Sequence, residues 1–131
     1  MKKLSDNKVE LFYPTCNLDT VKDGRGGIFT WIPQDVIVEF NLLYFTPGAT
    51  RGNHSHPEFI EYSLVTEGSG VFVTKDPETN EKIVMHMSKG SCVRTPKGVT
   101  HTIYAITNMT VMAMLTKAWD DCDKPIIRED I

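Results

Sequence analysis

Three of the four histidines in this chain of 131 residues share a pattern that can hold a metal ion. His54 and His56 are two positions apart, so both imidazoles point to the same face of an extended strand. Glu61 follows after four residues, and His101 comes just after the turn at Pro96 to Gly98. Three neutral imidazoles and a carboxylate form a donor set suited to Zn²⁺, Fe²⁺, Mn²⁺, Ni²⁺ or Co²⁺. His54, His56, Glu61 and His101 therefore indicate a site for one divalent transition metal.

Short strands between regular turn signals must position these side chains. Clusters of glycine, proline, asparagine and aspartate punctuate the chain, and no window has the 3.6-residue period of a three-turn helix. The intervening segments are rich in β-branched and aromatic residues: 36–46, 59–66, 71–75, 82–87, 92–95, 101–106 and 109–116. This pattern predicts an all-β fold, a single small antiparallel β-barrel that forms one domain over residues 1–131. Residues 1–20 are less patterned and are expected to form an N-terminal arm or an edge strand, and the charged residues 120–131 are expected on the surface.

Composition excludes several other classes of protein. Apolar residues make up 40% and charged residues 24% of the chain, which is ordinary for a globular domain. A net charge of −3 provides no basic field for nucleic acid, and no apolar run approaches the length of a membrane helix. Cys16, Cys92 and Cys122 are an odd number without paired spacing, which indicates reduced thiols. With no apolar signal segment after Met1, we expect a cytoplasmic protein without nucleic-acid or membrane partners.

The spacing of the metal-site residues resembles the two motifs of the cupin superfamily. The first motif is complete as Gly48, five residues, His54-x-His56, four residues, Glu61, six residues and Gly68. The second is Gly90, five residues, Pro96-x-Gly98, two residues and His101, with Ala105 where the family has an asparagine that is not a metal ligand. The resemblance implies a jelly-roll barrel with the metal inside its mouth. The alternative is a metal-free cupin whose histidines are satisfied by hydrogen bonds.

Further segments resemble the cupins that act on nucleotide sugars. They are Asp23-x-Arg25-Gly26, Pro47-Gly48-x-Thr50-Arg51-Gly52-Asn53-His54-x-His56 and Pro96-x-Gly98-x-Thr100-His101. From about residue 20 to Trp119, the chain is similar to the C-terminal cupin domain of bifunctional capsular-polysaccharide enzymes, which epimerises C3 of a UDP-4-keto sugar and carries zinc. The resemblance implies zinc as the first choice of metal, a nucleotide-sugar substrate and a homodimer. Related dTDP-sugar epimerases and ketoisomerases use the first motif histidine as a base, but here that residue is the expected ligand His54, which leaves the base open.

Four other residues are candidates for the same site. Tyr44 shares the strand parity of His54 and His56 and is the candidate acid/base group, with a rim or core aromatic as the alternative. Arg51 resembles the arginine that contacts sugar or diphosphate in the family, and its planar fork suits phosphate. Arg94 and Lys97 flank Pro96 and are expected to line the same mouth, although ordinary surface charges explain them as well.

These residues support one principal function and two alternatives. Removing a proton next to a ketone needs a base and an electrophile on the carbonyl oxygen, and a divalent metal can supply the second. We therefore expect a metal-dependent epimerase or ketoisomerase of a 4-keto nucleotide sugar, in the synthesis of surface-polysaccharide or glycan precursors. The alternatives are a metal-dependent cupin dioxygenase and a non-catalytic sugar-binding module. A polar pocket mouth would favour the nucleotide sugar, and a narrow apolar pocket would favour oxygen chemistry.

Overall fold

The computed structural model describes residues 8–13 and 21–131, and these residues form an almost entirely β structure. The strands are β1 (Glu10–Phe12), β2 (Val21–Asp23), β3 (Gly26–Ile28), β4 (Glu39–Phe45), β5 (Thr50–Ser55), β6 (Glu61–Glu67), β7 (Ser69–Lys75), β8 (Lys82–Ser88), β9 (Cys92–Thr95), β10 (Thr100–Ala105), β11 (Met109–Leu115) and β12 (Ile127–Arg128). One 3-10 turn spans Trp119–Asp121. Within these ranges no helix is long and apolar enough to cross a bilayer.

The strands pair into two five-stranded antiparallel sheets and one small ribbon. The first sheet has the order β1-β9-β6-β11-β4, the second has the order β12-β5-β10-β7-β8, and β2 pairs with β3 in the ribbon. The prediction of an all-β antiparallel fold is confirmed. Backbone pairing between the described residues keeps the two large sheets separate, so the expected single closed barrel is replaced by two sheets packed on each other.

The main apolar core lies between the two sheets. Strand alternation directs one side chain in two from each sheet into this space. The fully buried members are Phe45, Val65, Phe72, Met87, Val93, Ile103, Ala105, Met109 and Val111. Because these residues come from β4, β6, β9 and β11 on one side and from β7, β8 and β10 on the other, the core itself holds the sheets together.

A smaller cluster covers the outer face of the first sheet. Ile60, Tyr62 and Cys92 are buried there, and Trp31 and Phe12 pack against them. β1 pairs with β9 at the edge of this sheet, with Leu11 opposite Val93. Of the expected N-terminal arm or edge strand, residues 1–7 and 14–20, including Cys16, lie outside the described residues.

β7 and β8 pair as an antiparallel hairpin. Its tip is organised by Asp76, whose Oδ1 accepts hydrogen bonds from the backbone N–H groups of Glu78 at 2.8 Å and Thr79 at 3.0 Å. A short polar side chain that bonds to nearby backbone in this way stabilises a turn. At the preceding connection, Gly68 has φ of +83°, and a Cβ there would lie 2.0 Å from the Asn108 carbonyl oxygen, so only glycine fits.

Candidate metal centre and substrate pocket

A β-bulge in β5 aims two functional side chains at the same space. His54 lies opposite His101, but the next pair is Gly52 with Thr102, so Asn53 is the extra residue on β5. Asn53 and Gly52 have φ of +57° and +114°. A Cβ at position 52 would lie 2.7 Å from the His101 carbonyl oxygen, which explains the glycine. Because of the extra residue, Arg51 and His54 both line the pocket between the sheets.

The structure brings the four predicted metal-site residues together. One ligand nitrogen from each of His54, His56 and His101 lies within 4.8 Å of the others. Glu61, from the facing sheet, places its Oε1 atom 3.5 Å from His56 Nε2 and 3.4 Å from His101 Nε2. The three donors from the second sheet and one from the first therefore meet around a common centre.

The hydrogen bonds of the buried histidines fit a metal ion better than a metal-free site. His56 Nδ1 is 3.1 Å from the Pro125 carbonyl oxygen, and His101 Nδ1 is 3.2 Å from the Val99 carbonyl oxygen. A carbonyl can only accept, so each Nδ1 carries the proton and each Nε2 presents a lone pair towards the centre. His56 Nε2 is buried and has no hydrogen-bond partner. An orphaned lone pair of this kind, aimed at two other imidazoles and a carboxylate, is what a divalent metal would satisfy.

Protonation states at the centre suit the same role. Burial, together with the nearby imidazoles of His101 and His56, lowers the pKa of His54 to about 4, so its ring is neutral at pH 7. Burial on its own raises the pKa of the Glu61 carboxyl, but the adjacent imidazoles of His101 and His56 outweigh it and hold the pKa below its ordinary range. A neutral imidazole and an ionised carboxylate are the forms that bind metal ions.

The centre forms one wall of a cavity of about 480 Å³, a size typical of small-molecule sites. Besides the four predicted residues, its lining comprises Asn41, Leu43, Thr50, Arg51, Gly52, Ile103, Ala113, Leu115, Trp119 and Arg128. The apolar members come mainly from the strand centres. The polar members Asn41, Thr50, Arg51 and Arg128 give the cavity a polar and cationic character. Arg51 was expected here, whereas Asn41, Trp119 and Arg128 were not anticipated.

Three residues expected at the mouth lie elsewhere. Tyr44 is 69% exposed and points away from the cavity, whereas its neighbour Leu43 lines it. The expected parity between Tyr44 and His54 does not hold, because the turn at Pro47 and Gly48 and the bulge in β5 lie between them. Arg94 points to the outer face of β9, where it is fully buried and its Nε donates to Asp35 Oδ2 at 2.9 Å. Lys97 is exposed in the turn after β9 and borders a separate cleft with Asp76.

Residues 124–131, which we call the C-terminal strap, lie on the surface as expected, and they also cross the site. The strap supplies the Pro125 carbonyl to His56, and β12 pairs with β5 so that Arg128 is opposite His54. Glu129 N–H donates to the Asn53 carbonyl at 2.9 Å, and Thr100 Oγ1 donates to Glu129 Oε1 at 2.6 Å. The strap is therefore part of the site. No sequence signal marks it, because its strand has two residues and is formed by long-range pairing.

Comparison with known families agrees with this architecture. Residues 21–123 match the model of the polysaccharide biosynthesis C-terminal domain. The chain belongs to this family. The matched range contains all four predicted metal-site residues and ends just before the C-terminal strap. Comparison with curated protein sequences finds no significant match.

Solved structures with the same fold include three proteins of related description. The capsular polysaccharide assembling protein CapF from Staphylococcus aureus is 26% identical, with a TM-score of 0.68 over 86% of this chain. The chain spans only 34% of the length of CapF. QdtA, a sugar 3,4-ketoisomerase from Thermoanaerobacterium thermosaccharolyticum solved with TDP, is 18% identical, with a TM-score of 0.75 over 92% of this chain and 88% of its own. ChmJ, a 3'-monoepimerase from Streptomyces bikiniensis solved with dTDP-quinovose, is 19% identical, with a TM-score of 0.73 over 90% of this chain and 68% of its own.

These matches confirm the resemblance to a domain of capsular-polysaccharide proteins. This chain is similar to CapF in sequence as well as in fold, whereas it shares only the fold with QdtA and ChmJ, at low identity. A shared fold does not by itself transfer an activity.

Proposed function

We propose that this protein is a metal-dependent epimerase or ketoisomerase of a 4-keto nucleotide sugar, in the synthesis of polysaccharide precursors. The observation that carries the proposal is the meeting of His54, His56, His101 and Glu61 in a cavity that Arg51 also lines. The family match supports a role in polysaccharide synthesis. QdtA and ChmJ, solved with TDP and with dTDP-quinovose, support a nucleotide sugar as the ligand class.

The donor set explains how the reaction would be assisted. His54, His56, His101 and Glu61 would hold the metal, with zinc as the first choice and Fe²⁺, Ni²⁺, Mn²⁺ or Co²⁺ compatible with the same donors. When bound, a divalent metal supplies a Lewis acid that stabilises negative charge on a carbonyl oxygen. Returning the proton to the opposite face of the same carbon inverts that centre, whereas returning it to the neighbouring carbon moves the ketone.

The other residues of the cavity bind and orient the substrate. Arg51 presents a planar fork that suits the diphosphate, and Asn41 and Thr50 offer hydrogen-bonding groups to sugar hydroxyls. Trp119 and Leu115 form apolar walls that exclude water from the reacting carbons.

Few groups in this cavity could transfer a proton. Among the described residues that line it, the side chains with a basic atom that could accept a proton are Glu61 and the three histidines, and no tyrosine is present. His54 is the least buried of the histidines, so it is the one best placed to face the substrate. A His54→Gln variant that keeps its metal but loses proton exchange would assign the base to His54.

The proposal is tested by proton exchange at the sugar. The zinc-loaded protein is incubated in D₂O with UDP- and dTDP-4-keto-6-deoxyhexoses, and NMR follows deuterium uptake at C3. We expect uptake by the wild type and a loss of about a hundredfold or more in the His56→Ala and Glu61→Ala variants. Lys82→Gln, which changes an exposed charge on β8, is the control and should match the wild type. Absence of uptake with every substrate, with the metal content verified, would overturn the proposal.

The two alternative functions have their own readouts. A dioxygenase would consume oxygen at an electrode in the presence of its substrate, and a sugar-binding module would show neither oxygen consumption nor deuterium uptake. The cavity favours the nucleotide sugar over oxygen chemistry, because Asn41, Thr50, Arg51 and Arg128 make it polar.

We also propose that the protein is a cytoplasmic homodimer. β4 is an edge strand, and its outer face exposes Phe40, Leu42 and Tyr44. An edge strand with an apolar face is a liability unless it is covered, and a second copy would cover it. Free thiols at Cys92 and Cys122 suit the reducing cytoplasm. Phe40→Glu should convert the dimer to a monomer in analytical ultracentrifugation, and a wild type that sediments as a monomer would contradict the proposal.

A further inference from the structure

We propose that Arg128, on the C-terminal strap, is a substrate-binding residue that pairs with the diphosphate of a nucleoside diphosphate sugar. This inference deepens the proposed function and rests on it for the identity of the substrate. Arg128 lies outside the residues that match the family, so only the structure points to it.

The strand pairing directs the Arg128 side chain into the cavity. β12 is antiparallel to β5, and Arg128 is directly opposite His54, which is in turn opposite His101 on β10. Directly opposite residues of an antiparallel pair point to the same face of the sheet. Arg128, His54 and His101 therefore form one row across three strands, and Arg128 lines the cavity at the end of that row.

The strap holds Arg128 in place without using its charge. Glu129 N–H donates to the Asn53 carbonyl at 2.9 Å, and Ile131 N–H donates to Asn53 Oδ1 at 3.2 Å. The backbone is therefore held by hydrogen bonds after Arg128 as well as by the pairing of β12 with β5. In contrast to Arg94, which is paired with Asp35, the Arg128 guanidinium has no ion-pair or hydrogen-bond partner in the described part of the chain. An arginine whose backbone is held in place and whose guanidinium is unpaired is available to a ligand.

The charge balance of the cavity selects an anion. Arg51 and Arg128 both line it: Arg51 is three residues before His54 on β5, and Arg128 is opposite His54 on the neighbouring strand β12. Among the described residues, Glu61 is the only carboxylate of the lining, and it is close to His56 and His101. The chain as a whole carries a net charge of −3, so the two exposed arginines at this cavity run against the overall charge of the protein. Two guanidinium forks match the oxygens of a diphosphate, and the sugar attached to it would then lie over the histidines.

Calorimetric titration of the metal-loaded full chain with UDP and dTDP tests the inference. We expect Arg128→Gln to weaken binding of these nucleotides about tenfold to a hundredfold, which is the effect of losing charged hydrogen bonds to an anion. Arg128→Lys should recover part of the affinity, because lysine keeps the charge and loses the fork. Lys82→Gln, at the opposite edge of the same sheet, should bind like the wild type. Uridine, which has no phosphate, should not distinguish Arg128→Gln from the wild type.

The outcomes separate this inference from the proposed function. Equal UDP and dTDP affinities in the wild type and in Arg128→Gln, or no binding of either nucleotide by the wild type, would overturn the role of Arg128. If deuterium exchange were active and insensitive to Arg128→Gln, the proposed function would stand and the inference would fail. If nucleotide binding depended on Arg128 while no exchange occurred, the inference would stand and the isomerase proposal would fail. Metal content is measured in each variant, so loss of metal is not mistaken for loss of a phosphate contact.

Discussion

Removing the C-terminal strap, residues 124–131, should weaken metal binding while the fold remains. The strap carries the Pro125 carbonyl, which accepts a hydrogen bond from His56 Nδ1 at 3.1 Å. That bond fixes the tautomer that leaves Nε2 free to bind the metal, and it fixes the orientation of the ring. Loss of such a partner reduces metal affinity about tenfold to a hundredfold, which corresponds to about 1.4 to 2.7 kcal/mol. His101 keeps its own carbonyl partner, Val99, and should be unaffected.

Stability should change much less than metal affinity. The buried residues of the main core all lie between Phe45 and Val111, so the deletion removes none of them. The strap loses a few edge hydrogen bonds, such as that from Glu129 N–H to the Asn53 carbonyl, worth about 1 kcal/mol each. Against this, the deleted residues no longer have to be ordered, and this gain in conformational entropy offsets the loss. We therefore expect the Tm of the metal-free protein to change by less than about 5 °C.

Competition with a chromophoric chelator measures zinc affinity in this experiment, and circular dichroism follows unfolding. Two point variants of the full chain are the controls. Pro125→Ala keeps the carbonyl, and Arg128→Gln keeps the whole strap, so both should bind zinc like the wild type. A truncated chain that bound zinc within twofold of the wild type would refute the positioning role of the strap. An affinity loss as large in Arg128→Gln as in the truncated chain would also refute it, since the carbonyl is intact in that variant.

Three further predictions concern residues away from the metal centre. Asp35→Asn should lower the free energy of unfolding by about 3 kcal/mol in urea, because it removes one charge of the buried Arg94–Asp35 ion pair. Burial raises the Asp35 pKa, but Arg94 and Tyr62 outweigh it and hold the pKa below its ordinary value. The wild type should therefore lose its extra stability over Asp35→Asn as the pH falls below about 4. A stability difference that persisted at lower pH would contradict the assignment. Burial raises the pKa of the Cys92 thiol to about 12, so an alkylating reagent at pH 8 should label Cys92 only after denaturation, as peptide mass mapping would show. Tyr44→Phe should leave deuterium exchange within twofold of the wild type, and a large loss would restore the acid/base role expected from the sequence.

The convergence of the four candidate metal donors could be predicted because most of the information is local. His54 and His56 lie within two positions of each other, and Glu61 begins the next strand, so residue type and spacing are enough to describe most of the donor set. Strand alternation was equally reliable within a single strand. With Glu61 facing inward, Ser63 and Val65 are buried on the same side, as the alternation predicts.

Prediction failed where one strand had to be related to another. Tyr44 was assigned to the cavity by counting across a turn and a bulge, and a single extra residue such as Asn53 reverses the face of everything beyond it. Arg94 was grouped with Pro96 by proximity in sequence, but β9 alternates, and the segment that carries Asp35 covers its outer face. Arg128 has no local signal, because its place in the cavity depends on pairing with a strand more than seventy residues earlier.

The position of the candidate donors relative to the core favours chemistry over folding as the role of the proposed metal. His54, His56 and His101 come from the second sheet and Glu61 from the first, so an ion at the centre would join the two sheets. The sheets are already joined by a core of apolar residues from both sides, none of which is a metal donor. A purely structural ion would be redundant there, and the polar cavity beside it would have no purpose. Four donors placed where the sheets meet, next to a cavity with two arginines, make sense if the ion and the arginines act on the same bound molecule.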